Sequence, residues 1–370
     1  MSGAGNIDGP IALAAGGTGG HLFPAEALAQ ELKRRGRRVL LVTDARGARY
    51  AADFPANERF EISAATPSIG GPVAKASAAL SIVSGLIRSM KEFKQRQPAA
   101  AVGFGGYPSL PAMKAAALMK IPYGVHEQNG VLGRANRLLV KGAAFTAHAF
   151  PVLEKLPHGV ETVEVGNPVR DAVAALEGAP YPAAGGDLNL LIFGGSQGAS
   201  IFSEAPVKAI AGLPAPLRER LIVTHQAREA DAGAVKAAYA EAGVRAEVAP
   251  FFADLPQRMA ASHLVISRAG ASTITELAAI GRPSILVPLA IAMDDHQTGN
   301  ARTLKDKTAA VILPEKEFNN YALAAPLEAL LTNPGRLEKM AAAAQGAVKS
   351  GAAARLADLV EEITAVKAAA

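Results

Sequence analysis

The feature of this chain that most constrains its fold is a kind of segment that occurs twice. In "IALAAGGTGGH" (11–21) and "DLNLLIFGGSQGAS" (187–200), an apolar run ends in two glycines, a hydroxyl residue follows and a helix-like stretch begins. After each segment, short apolar runs alternate with stretches of helical periodicity, as in parallel sheets that are covered by helices. The sequence therefore predicts the α/β class, with two doubly wound, Rossmann-like units.

Length and patterning agree with two domains. The 370 residues, 50% of them hydrophobic, are enough to build two cores. The Pro-containing stretch "VEVGNPVRDA" (163–172) is predicted as the hinge, and the C-terminal stretch as a closing helix. We therefore expect an N-terminal domain of residues 8–165, joined by the helix 350–370, and a C-terminal domain of residues 166–349.

Composition excludes several classes of protein. The absence of cysteine removes any disulfide framework or thiolate metal site and fits a reducing compartment. No secretory signal and no apolar run of about 20 residues is present, so a soluble or peripheral protein is expected. Residues 1–165 carry 19 Lys and Arg against 12 Asp and Glu, which favours a phosphorylated substrate or an anionic membrane surface. Aromatic residues make up only 5% and do not interleave with basic ones, which argues against nucleic acid.

The two glycine turns are candidate cradles for an anion or a sugar. Glycine lets the backbone approach a ligand closely, and a helix N-terminus offers free N–H groups and a positive dipole end. Strand-to-helix turns also use glycine for steric reasons alone, so the purely structural reading stays open for each turn. Asp44, at the end of "LLVTD", has about the spacing expected for ribose recognition in a dinucleotide-binding protein.

A third glycine-containing stretch, "SRAGASTITEL" (267–277), allows two readings. Ser272 or Thr273 can cap a helix, with Glu276 in its first turn as in a capping box. Alternatively, the two carboxylate oxygens of Glu276 accept hydrogen bonds from both hydroxyls of a ribose. The stretch "MDDH" (293–296) resembles a metal site only weakly, because two adjacent carboxylates beside a histidine are a common loop pattern.

The segment 72–94 combines apolar and basic residues at helical spacing. It is read either as an ordinary half-buried helix or as an interfacial face that contacts an anionic lipid leaflet. The residues concerned are Leu80, Val83, Leu86, Ile87 and Met90, with Lys75, Arg88, Lys91 and Lys94.

Seven motifs of this chain resemble those of one known family in order and approximate spacing. They are "GGTGGHLFPA", "GFGGYPSLP", "HEQNGVLGRANR", "VGNPVR", "GGSQGA", "SRAGASTITEL" and "DDHQTGNA", which together span about residues 11–301. The family is MurG, the UDP-N-acetylglucosamine:undecaprenyl-pyrophosphoryl-MurNAc-pentapeptide N-acetylglucosaminyltransferases of peptidoglycan synthesis. The resemblance implies a GT-B fold, in which two Rossmann-like domains with doubly wound parallel sheets face a cleft.

The resemblance also implies a reaction. GlcNAc passes from UDP-GlcNAc to the C4 hydroxyl of MurNAc on lipid I, which gives lipid II with inversion and needs neither a cofactor nor a metal. Such a protein is peripheral on the cytoplasmic face of the bacterial inner membrane and takes part in cell-wall biogenesis, cell shape and division, with a cell-wall synthesis complex as a possible partner. The alternatives are a UDP-GlcNAc epimerase, another GT-B UDP-sugar enzyme, or a noncatalytic nucleotide-binding module, which Asp44 alone favours.

By the same resemblance, the C-terminal domain binds the donor UDP-GlcNAc. Ser196 contacts the diphosphate, and Arg170 either supplies positive charge near it or forms a salt bridge at the hinge. Phe251 and Phe252 border the uracil, whose edge is read by backbone groups, and packing in the core remains open for one ring. Gln297 contacts the sugar or uridine. The ribose and phosphate are held by Ala271, Ser272, Thr273, Ile274, Thr275 and Glu276.

The N-terminal domain, by resemblance, binds the acceptor lipid I. Thr18, Gly19 and Gly20 close over the donor sugar, Asn129 donates to a sugar hydroxyl, and Tyr107 lines the acceptor site. His126 and Glu127 are interpreted as structural. His21 is the candidate base, because histidine has a suitable intrinsic pKa; a structural histidine at a helix start is the competing reading.

Overall fold

The computed structural model describes residues 8–17, 19–49, 51–63, 72–183, 185–195 and 199–369. The chain forms two compact units. The N-terminal unit comprises the residues up to Asp171 and those from Lys349 onward, and the C-terminal unit comprises Ala172–Val348. The division at Asp171 falls within the stretch that the sequence predicts as the hinge.

Each unit is built on one sheet in which all strand pairs are parallel. Among the described residues, the N-terminal sheet has seven strands in the order β3-β2-β1-β4-β5-β6-β7, and the C-terminal sheet has six in the order β10-β9-β8-β11-β12-β13. In chain order the strands are β1 (Ile11–Ala14), β2 (Val39–Thr43), β3 (Glu58–Glu61), β4 (Ala100–Gly103), β5 (Tyr123–Glu127), β6 (Phe145–His148), β7 (Val163–Glu164), β8 (Leu188–Phe193), β9 (Leu221–Gln226), β10 (Arg245–Ala249), β11 (Leu264–Ser267), β12 (Ser284–Leu286) and β13 (Ala310–Ile312).

Helices connect these strands. In chain order they are α1 (Gly19–Arg34), α2 (Ala45–Ala48), α3 (Pro72–Arg96), α4 (Gly106–Leu118), α5 (Arg134–Arg137), α6 (Asp171–Ala174), α7 (Ala205–Ala211), α8 (Ala215–Arg218), α9 (Glu229–Glu241), α10 (Leu255–Ala260), α11 (Ala271–Ile280), α12 (His296–Lys305), α13 (Asn320–Leu331), α14 (Pro334–Gln345) and α15 (Ala352–Ala369), with short 3-10 helices at Val140–Gly142, Ser200–Phe202 and Met293–Asp295. Among the described helices, none combines the length and apolar character needed to span a bilayer.

The central strands are apolar along their whole length because both faces of each sheet are covered. Strands β1 and β2 are buried at every position, so their sequences read as continuous apolar runs without alternation. On one face, α1 contributes the buried Leu28 and Leu32, each of which stabilises the fold by about 1.5–3 kcal/mol. The other face is covered by α4, which contributes the buried Met113.

Helix α15 returns the chain to the N-terminal unit. Leu356 and Val360 lie in the same apolar cluster as Leu28. Arg35, directly after α1, forms ion pairs with Asp358 at 2.7 Å and with Glu361 at 3.1 Å. The closing helix is therefore part of the packing of the first domain.

The stretch after β7 requires glycine at one position. Gly166 has φ +87°, and a Cβ atom there would lie 2.8 Å from the carbonyl oxygen of Lys349. Lys349 also donates to the carbonyl oxygen of Glu164 at 3.1 Å. The segment that leaves the N-terminal unit and the segment that returns to it therefore touch each other.

Candidate active site

In the N-terminal sheet the order of the strands reverses between β1 and β4. The first glycine turn lies at the carboxyl end of β1. Ligands of open α/β sheets bind at such a switch point. Gly17 has φ +82°, and its N–H donates to Oδ1 of Asp44 at 2.9 Å. Gly19 begins α1 buried beneath Phe23, and a Cβ at this position would lie 2.9 Å from that ring. Gly20 is exposed, and Thr18 lies outside the described residues.

Asp44 has a different task from the one considered in the sequence. Its carboxylate accepts from Gly17 N–H and from Gly47 N–H, both at 2.9 Å, and pairs with Arg46 at 3.1 Å. The residue is only 4% exposed. Asp44 therefore fastens the glycine turn to the start of α2, and its observed contacts are with the protein.

His21 projects from the first turn of α1 to the edge of this site. Its Nδ1 atom lies 2.9 Å from the carbonyl oxygen of Phe104 and 3.0 Å from Oε1 of Gln128. Both neighbours are hydrogen-bond acceptors, so Nδ1 carries the hydrogen in the neutral ring. The Nε2 atom then holds the lone pair, which is what a general base requires.

Another turn that contains glycines, between β4 and α4, lies against the His21 ring. Gly105 has φ +81° and Gly106 has φ +72°. A Cβ on Gly106 would lie 3.3 Å from Cδ2 of His21, and one on Gly105 would lie 3.2 Å from Nδ2 of Asn136. The absence of side chains at this turn leaves room beside the imidazole. Tyr107, the predicted acceptor-side residue, follows the turn and is half-buried.

Gln128 connects His21 to His126. The Nε2 group of Gln128 lies 3.1 Å from Nδ1 of His126 and donates to the His126 carbonyl oxygen at 3.0 Å. The Nε2 atom of His126 lies 2.9 Å from the carbonyl oxygen of Gly166. The sequence analysis assigns no role to Gln128. The signal that could have identified it is its position in the motif "HEQN", directly after β5.

The buried carboxylate of Glu127 organises the loop after β5. It accepts from Asn129 N–H at 3.0 Å, from Asn129 Nδ2 at 3.1 Å, from Gly133 N–H at 2.9 Å and from Asn136 Nδ2 at 2.8 Å. Glu127 is 2% exposed. Asn129, predicted to donate to a sugar hydroxyl, is therefore oriented by Glu127, while any contact of Asn129 with sugar stays a prediction.

Arg170 packs on Phe23 of α1. Its guanidinium carbon lies 4.1 Å from the centre of the Phe23 ring, which gives a cation–π contact. Burial raises the pKa of Glu26, and the nearby positive charge of Arg170 opposes that shift. Arg170, two residues after Pro168 of the predicted hinge, therefore places a positive charge beside the N-terminal part of α1.

The C-terminal sheet repeats the switch-point arrangement between β8 and β11. The second glycine turn follows β8, with Gly195 at φ +86°, and the N–H of Gly194 donates to Oε1 of Gln226 at 3.3 Å. Ser196, the predicted diphosphate contact, lies outside the described residues. At the end of the neighbouring strand β11, the chain turns at Gly270 and enters α11.

Helix α11 begins three residues earlier than a capping box of Thr273 and Glu276 requires. Its N-cap is Gly270, and no side chain caps the helix, so Ser272 and Thr273 lie inside the first turn and Glu276 lies beyond it. The capping-box interpretation is therefore wrong. The first N–H groups of the helix have no partner within it and are available to an anion. Among the described residues, the buried Oγ atom of Ser272 has no hydrogen-bond partner.

Three of the predicted donor-binding residues turn their side chains into the protein. Ile274 is 0% and Ala271 7% exposed, and Thr275 donates through its hydroxyl to the Ala271 carbonyl oxygen at 2.9 Å. Any role of these three in binding is therefore limited to their backbone. Glu276 is half-buried.

Gln297, at the start of α12, supports the loops of the same site. Its Oε1 atom accepts from Leu289 N–H at 3.0 Å and from Ala269 N–H at 3.2 Å. The buried Asn300, one turn later on the same helix, donates to the Ala269 carbonyl oxygen at 3.2 Å. Both side chains hold the segment that leads from β11 into α11.

The adjacent phenylalanines after β10 have opposite environments. Phe252 is 7% exposed, with the Arg258 guanidinium carbon 4.3 Å from its ring centre, whereas Phe251 is 72% exposed. Phe252 is therefore the ring that packs in the core, a role that the sequence left open for one of the two, while its backbone contact with uracil stays a prediction. The exposed Phe251 ring is the one that a planar base could reach.

The outer face of α3 is apolar and uncovered. Leu80 is 71%, Val83 52%, Ile87 63% and Met90 36% exposed, and the positions recur at helical spacing on one side. We call these four residues the α3 face. Leu86 is half-buried. Ala78, Ser89 and Phe93 of the same helix are buried, so α3 is half-buried with an apolar exposed side, and both readings of segment 72–94 stay open.

Basic residues accompany the α3 face. Arg88, Lys91 and Lys94 are exposed on the same helix, although Arg88 forms an ion pair with Glu92 at 2.7 Å. The side chain of Lys75 lies outside the described part of the chain. Within that part, no group of three or more His, Cys, Asp or Glu side chains is placed to hold a metal ion.

Comparisons with known proteins agree with this architecture. The glycosyltransferase family 28 N-terminal domain matches residues 11–147, and the C-terminal domain of the same family matches residues 189–361. A relative from Caulobacter vibrioides is 50% identical over 352 residues, which cover 95% of this chain and 98% of the relative. It is named UDP-N-acetylglucosamine--N-acetylmuramyl-(pentapeptide) pyrophosphoryl-undecaprenol N-acetylglucosamine transferase.

Solved structures point the same way. The crystal structure of Acinetobacter baumannii MurG has a TM-score of 0.78 and 32% identity, and the match covers 96% of this chain and 99% of that one. A UDP-N-acetylglucosamine 2-epimerase from Listeria monocytogenes has a TM-score of 0.67 at 14% identity, covers 94% of both chains and shows a shared fold alone. The prediction of a GT-B fold with two Rossmann-like domains is confirmed. The chain therefore belongs to glycosyltransferase family 28 and, within it, to the MurG family of N-acetylglucosamine transferases.

Proposed function

We propose that this enzyme transfers GlcNAc from UDP-GlcNAc to the C4 hydroxyl of MurNAc in undecaprenyl-pyrophosphoryl-MurNAc-pentapeptide, converting lipid I into lipid II. The observation that carries the substrate assignment is the 50% identity, over 95% of the chain, to a relative named for these substrates. The geometry supplies the chemistry, because each unit offers a glycine turn and a helix start at the switch point of its sheet. No comparable observation favours the epimerase alternative.

His21 acts as the base in this proposal. Its Nδ1–H is held by two oxygen acceptors, so Nε2 is the nitrogen that can take a proton. As the acceptor oxygen bonds to the anomeric carbon, the bond from that carbon to UDP breaks and the hydroxyl proton passes to Nε2. A single displacement of this kind inverts the configuration at the anomeric carbon.

The departing UDP carries negative charge that the protein must stabilise. The uncapped N-terminus of α11 presents N–H groups and a positive dipole end, and we assign Arg170 and Ser196 to the same task. In this scheme the charge is neutralised by the chain itself, and we propose that no metal is required. Addition of EDTA to the assay should therefore leave the rate unchanged.

The C-terminal unit, residues 166–349 in the predicted division, binds the donor in our proposal. Glu276 receives the ribose hydroxyls, since its carboxylate accepts two hydrogen bonds and the capping role is excluded by the helix start at Ala271. The backbone near Phe252 reads the uracil edge, and Gln297 contacts the sugar or uridine. The exposed Phe251 ring stacks on the base.

The N-terminal unit binds the acceptor and the membrane. We propose that the α3 face inserts at the lipid surface and that the neighbouring lysines contact anionic headgroups, which contribute about 1 kcal/mol each. The glycine turn with Thr18, Gly19 and Gly20, together with Asn129 and Tyr107, then surrounds the sugars. As the family resemblance implies, we assign the enzyme to the cytoplasmic face of the inner membrane, to cell-wall synthesis during growth and division, and to a synthesis complex there.

A radiolabel transfer assay with UDP-GlcNAc and a short-chain lipid I analogue tests the reaction. We expect label in the lipid product only when the acceptor is present. Folded protein that yields no labelled lipid would refute the transferase proposal, and conversion of UDP-GlcNAc without acceptor would favour an epimerase.

Two variants separate the assigned roles. His21→Ala should lower kcat by about 100-fold or more with little change in the donor KM. Glu276→Ala should raise the donor KM by roughly 10- to 100-fold, the equivalent of losing hydrogen bonds to a charged group. A normal kcat in the first variant, or a normal donor KM in the second, contradicts the corresponding assignment.

Vesicle flotation tests the membrane role. With vesicles containing anionic lipid, Val83→Ser should weaken binding several-fold, because it removes apolar surface from the α3 face. Val152→Ser is the matched control, since Val152 is 67% exposed but lies outside α3. Equal binding by both variants and the unsubstituted protein would remove the α3 face as the membrane contact.

A further inference from the structure

A continuous set of hydrogen bonds runs from the backbone after β7 to the proposed base. The carbonyl oxygen of Gly166 lies 2.9 Å from His126 Nε2, so Nε2 carries a hydrogen and donates. In a neutral ring the His126 Nδ1 atom is then an acceptor. It lies 3.1 Å from the side-chain nitrogen of Gln128, which supplies the donor.

His126 remains neutral under ordinary conditions. The residue is 0% exposed, and desolvation by burial lowers its pKa to about 4. The nearby His148 adds to this shift, whereas the hydrogen bond to Gly166 opposes it. The acceptor character of Nδ1 is therefore constant above about pH 5.

These contacts fix the orientation of the Gln128 amide. If the amide were rotated by 180°, its oxygen would face two acceptors, His126 Nδ1 and the His126 carbonyl oxygen. The observed orientation instead gives two N–H donations to His126 and directs Oε1 toward His21 Nδ1 at 3.0 Å. Gln128 is 1% exposed, so water does not replace these partners.

We propose that Gln128, locked by His126, is a positioning residue that holds His21 as the Nδ1–H tautomer and so keeps its Nε2 atom basic. The alternative tautomer would place a nitrogen lone pair against two oxygen atoms, Phe104 O and Gln128 Oε1. Gln128 does not touch the substrates in this scheme and acts only through His21. The kinetic part of the inference rests on the proposed function of His21 as the base.

The tautomer is tested first by nitrogen NMR of ring-labelled histidine. At pH 8 we expect His21 and His148 to carry hydrogen on Nδ1, and His126 and His263 on Nε2. His148 Nδ1 faces the Phe150 carbonyl oxygen at 2.8 Å, and His263 Nε2 faces the Ala183 carbonyl oxygen at 3.1 Å. These two rings do not contact Gln128 and serve as internal controls for folding.

Substitution Gln128→Met removes the amide while keeping an unbranched side chain of similar length. Among the described residues, Phe104 O is then the acceptor that remains at Nδ1, and loss of the other hydrogen bond weakens the preference of His21 for Nδ1–H about tenfold. We expect mixed tautomer signals for His21 with unchanged signals for His148 and His263. Unchanged His21 signals in this variant, or a hydrogen on Nε2 in the unsubstituted protein, would overturn the proposal.

A double-mutant cycle then tests whether Gln128 acts through His21. Gln128→Met should lower kcat about tenfold at constant donor KM, and should have no further effect in a His21→Ala background. Multiplied losses in the double variant would indicate a merely structural role and refute the inference. If His21→Ala keeps full kcat, the base assignment fails, while the NMR result still decides whether Gln128 sets the tautomer.

Discussion

The buried His225 on β9 should make the stability of this enzyme depend on pH. Its Nδ1 atom lies 3.0 Å from the Tyr239 hydroxyl, and its Nε2 atom is buried without a hydrogen-bond partner among the described residues. Desolvation by burial lowers the His225 pKa from 6.5 to about 4. Protonation would leave a charge in the core, so the folded protein resists it.

The sign and size follow from linkage. Above pH 6.5 the ring is neutral in both the folded and the unfolded chain, and full stability is present. As the pH falls from 6.5 toward about 4, the unfolded chain binds the proton and the folded chain does not, which costs about 1.4 kcal/mol per pH unit. At pH 5 the loss is therefore about 2 kcal/mol, and below the folded pKa it stays constant.

The assay compares urea unfolding at pH 7.5 and pH 5.0, followed by far-UV circular dichroism because the chain has no tryptophan. The His225→Asn variant keeps a polar partner for Tyr239 but does not titrate. We expect the unsubstituted protein to lose about 2 kcal/mol more than this variant between the two pH values. The contributions of His126 and of the carboxylates to the pH dependence of the unfolding free energy are the same in both proteins and cancel in the comparison. Equal losses would refute the reasoning.

Three further outcomes are expected. Arg282 is fully buried and donates to five carbonyl oxygens, those of Ala179, Pro180, Ala260, Ile280 and Gly281. Arg282→Met should therefore lower the free energy of unfolding by about 3–5 kcal/mol in the same urea assay. A loss below about 1 kcal/mol would contradict this prediction. Asp44→Ala should destabilise the protein by about 1–2 kcal/mol and lower kcat, because the N–H groups of Gly17 and Gly47 lose their acceptor. Calorimetric titration with NAD should show no binding to either the unsubstituted protein or this variant. Phe251→Ala should raise the donor KM by roughly 5- to 10-fold through lost stacking, while Tyr321→Ala, at an exposed ring on α13, should leave that KM unchanged.

The strands and turns of this fold are readable from sequence because their causes are local. A continuous apolar run such as "VLLVT" belongs to a strand covered on both faces. The paired glycines after β1 accommodate the positive φ that the turn requires at Gly17. The return of α15 to the first unit is less local. It depends on contacts between Arg35 and residues more than 300 positions away, although the helical pattern of the terminus is plain.

The sequence leaves alternatives open where the outcome depends on a neighbour that it does not reveal. Phe251 and Phe252 are chemically identical, and only the fold shows that Phe252, with Arg258 over its ring, is the covered one. The sequence around Ser272 is compatible both with a capping box and with a helix that starts at Ala271 without a side-chain cap, and the structure has the second arrangement. For α3, periodicity identifies one apolar side but does not say whether another element covers it.

The two glycine turns show why matching sequence patterns carry different chemistry. Both follow the central strand of a parallel sheet, and their local backbones obey the same requirement for positive φ. What differs is the neighbouring strand end. Beside β1, the end of β4 and the residues after β5 supply acceptors that saturate one nitrogen of His21 and leave the other basic. Beside β8, the end of β11 supplies a helix without a side-chain cap, whose N–H groups remain unsatisfied. A basic nitrogen can accept a proton, and helix N–H groups without a partner in the helix can bind an anion. We therefore propose acceptor activation at the first turn and diphosphate binding at the second.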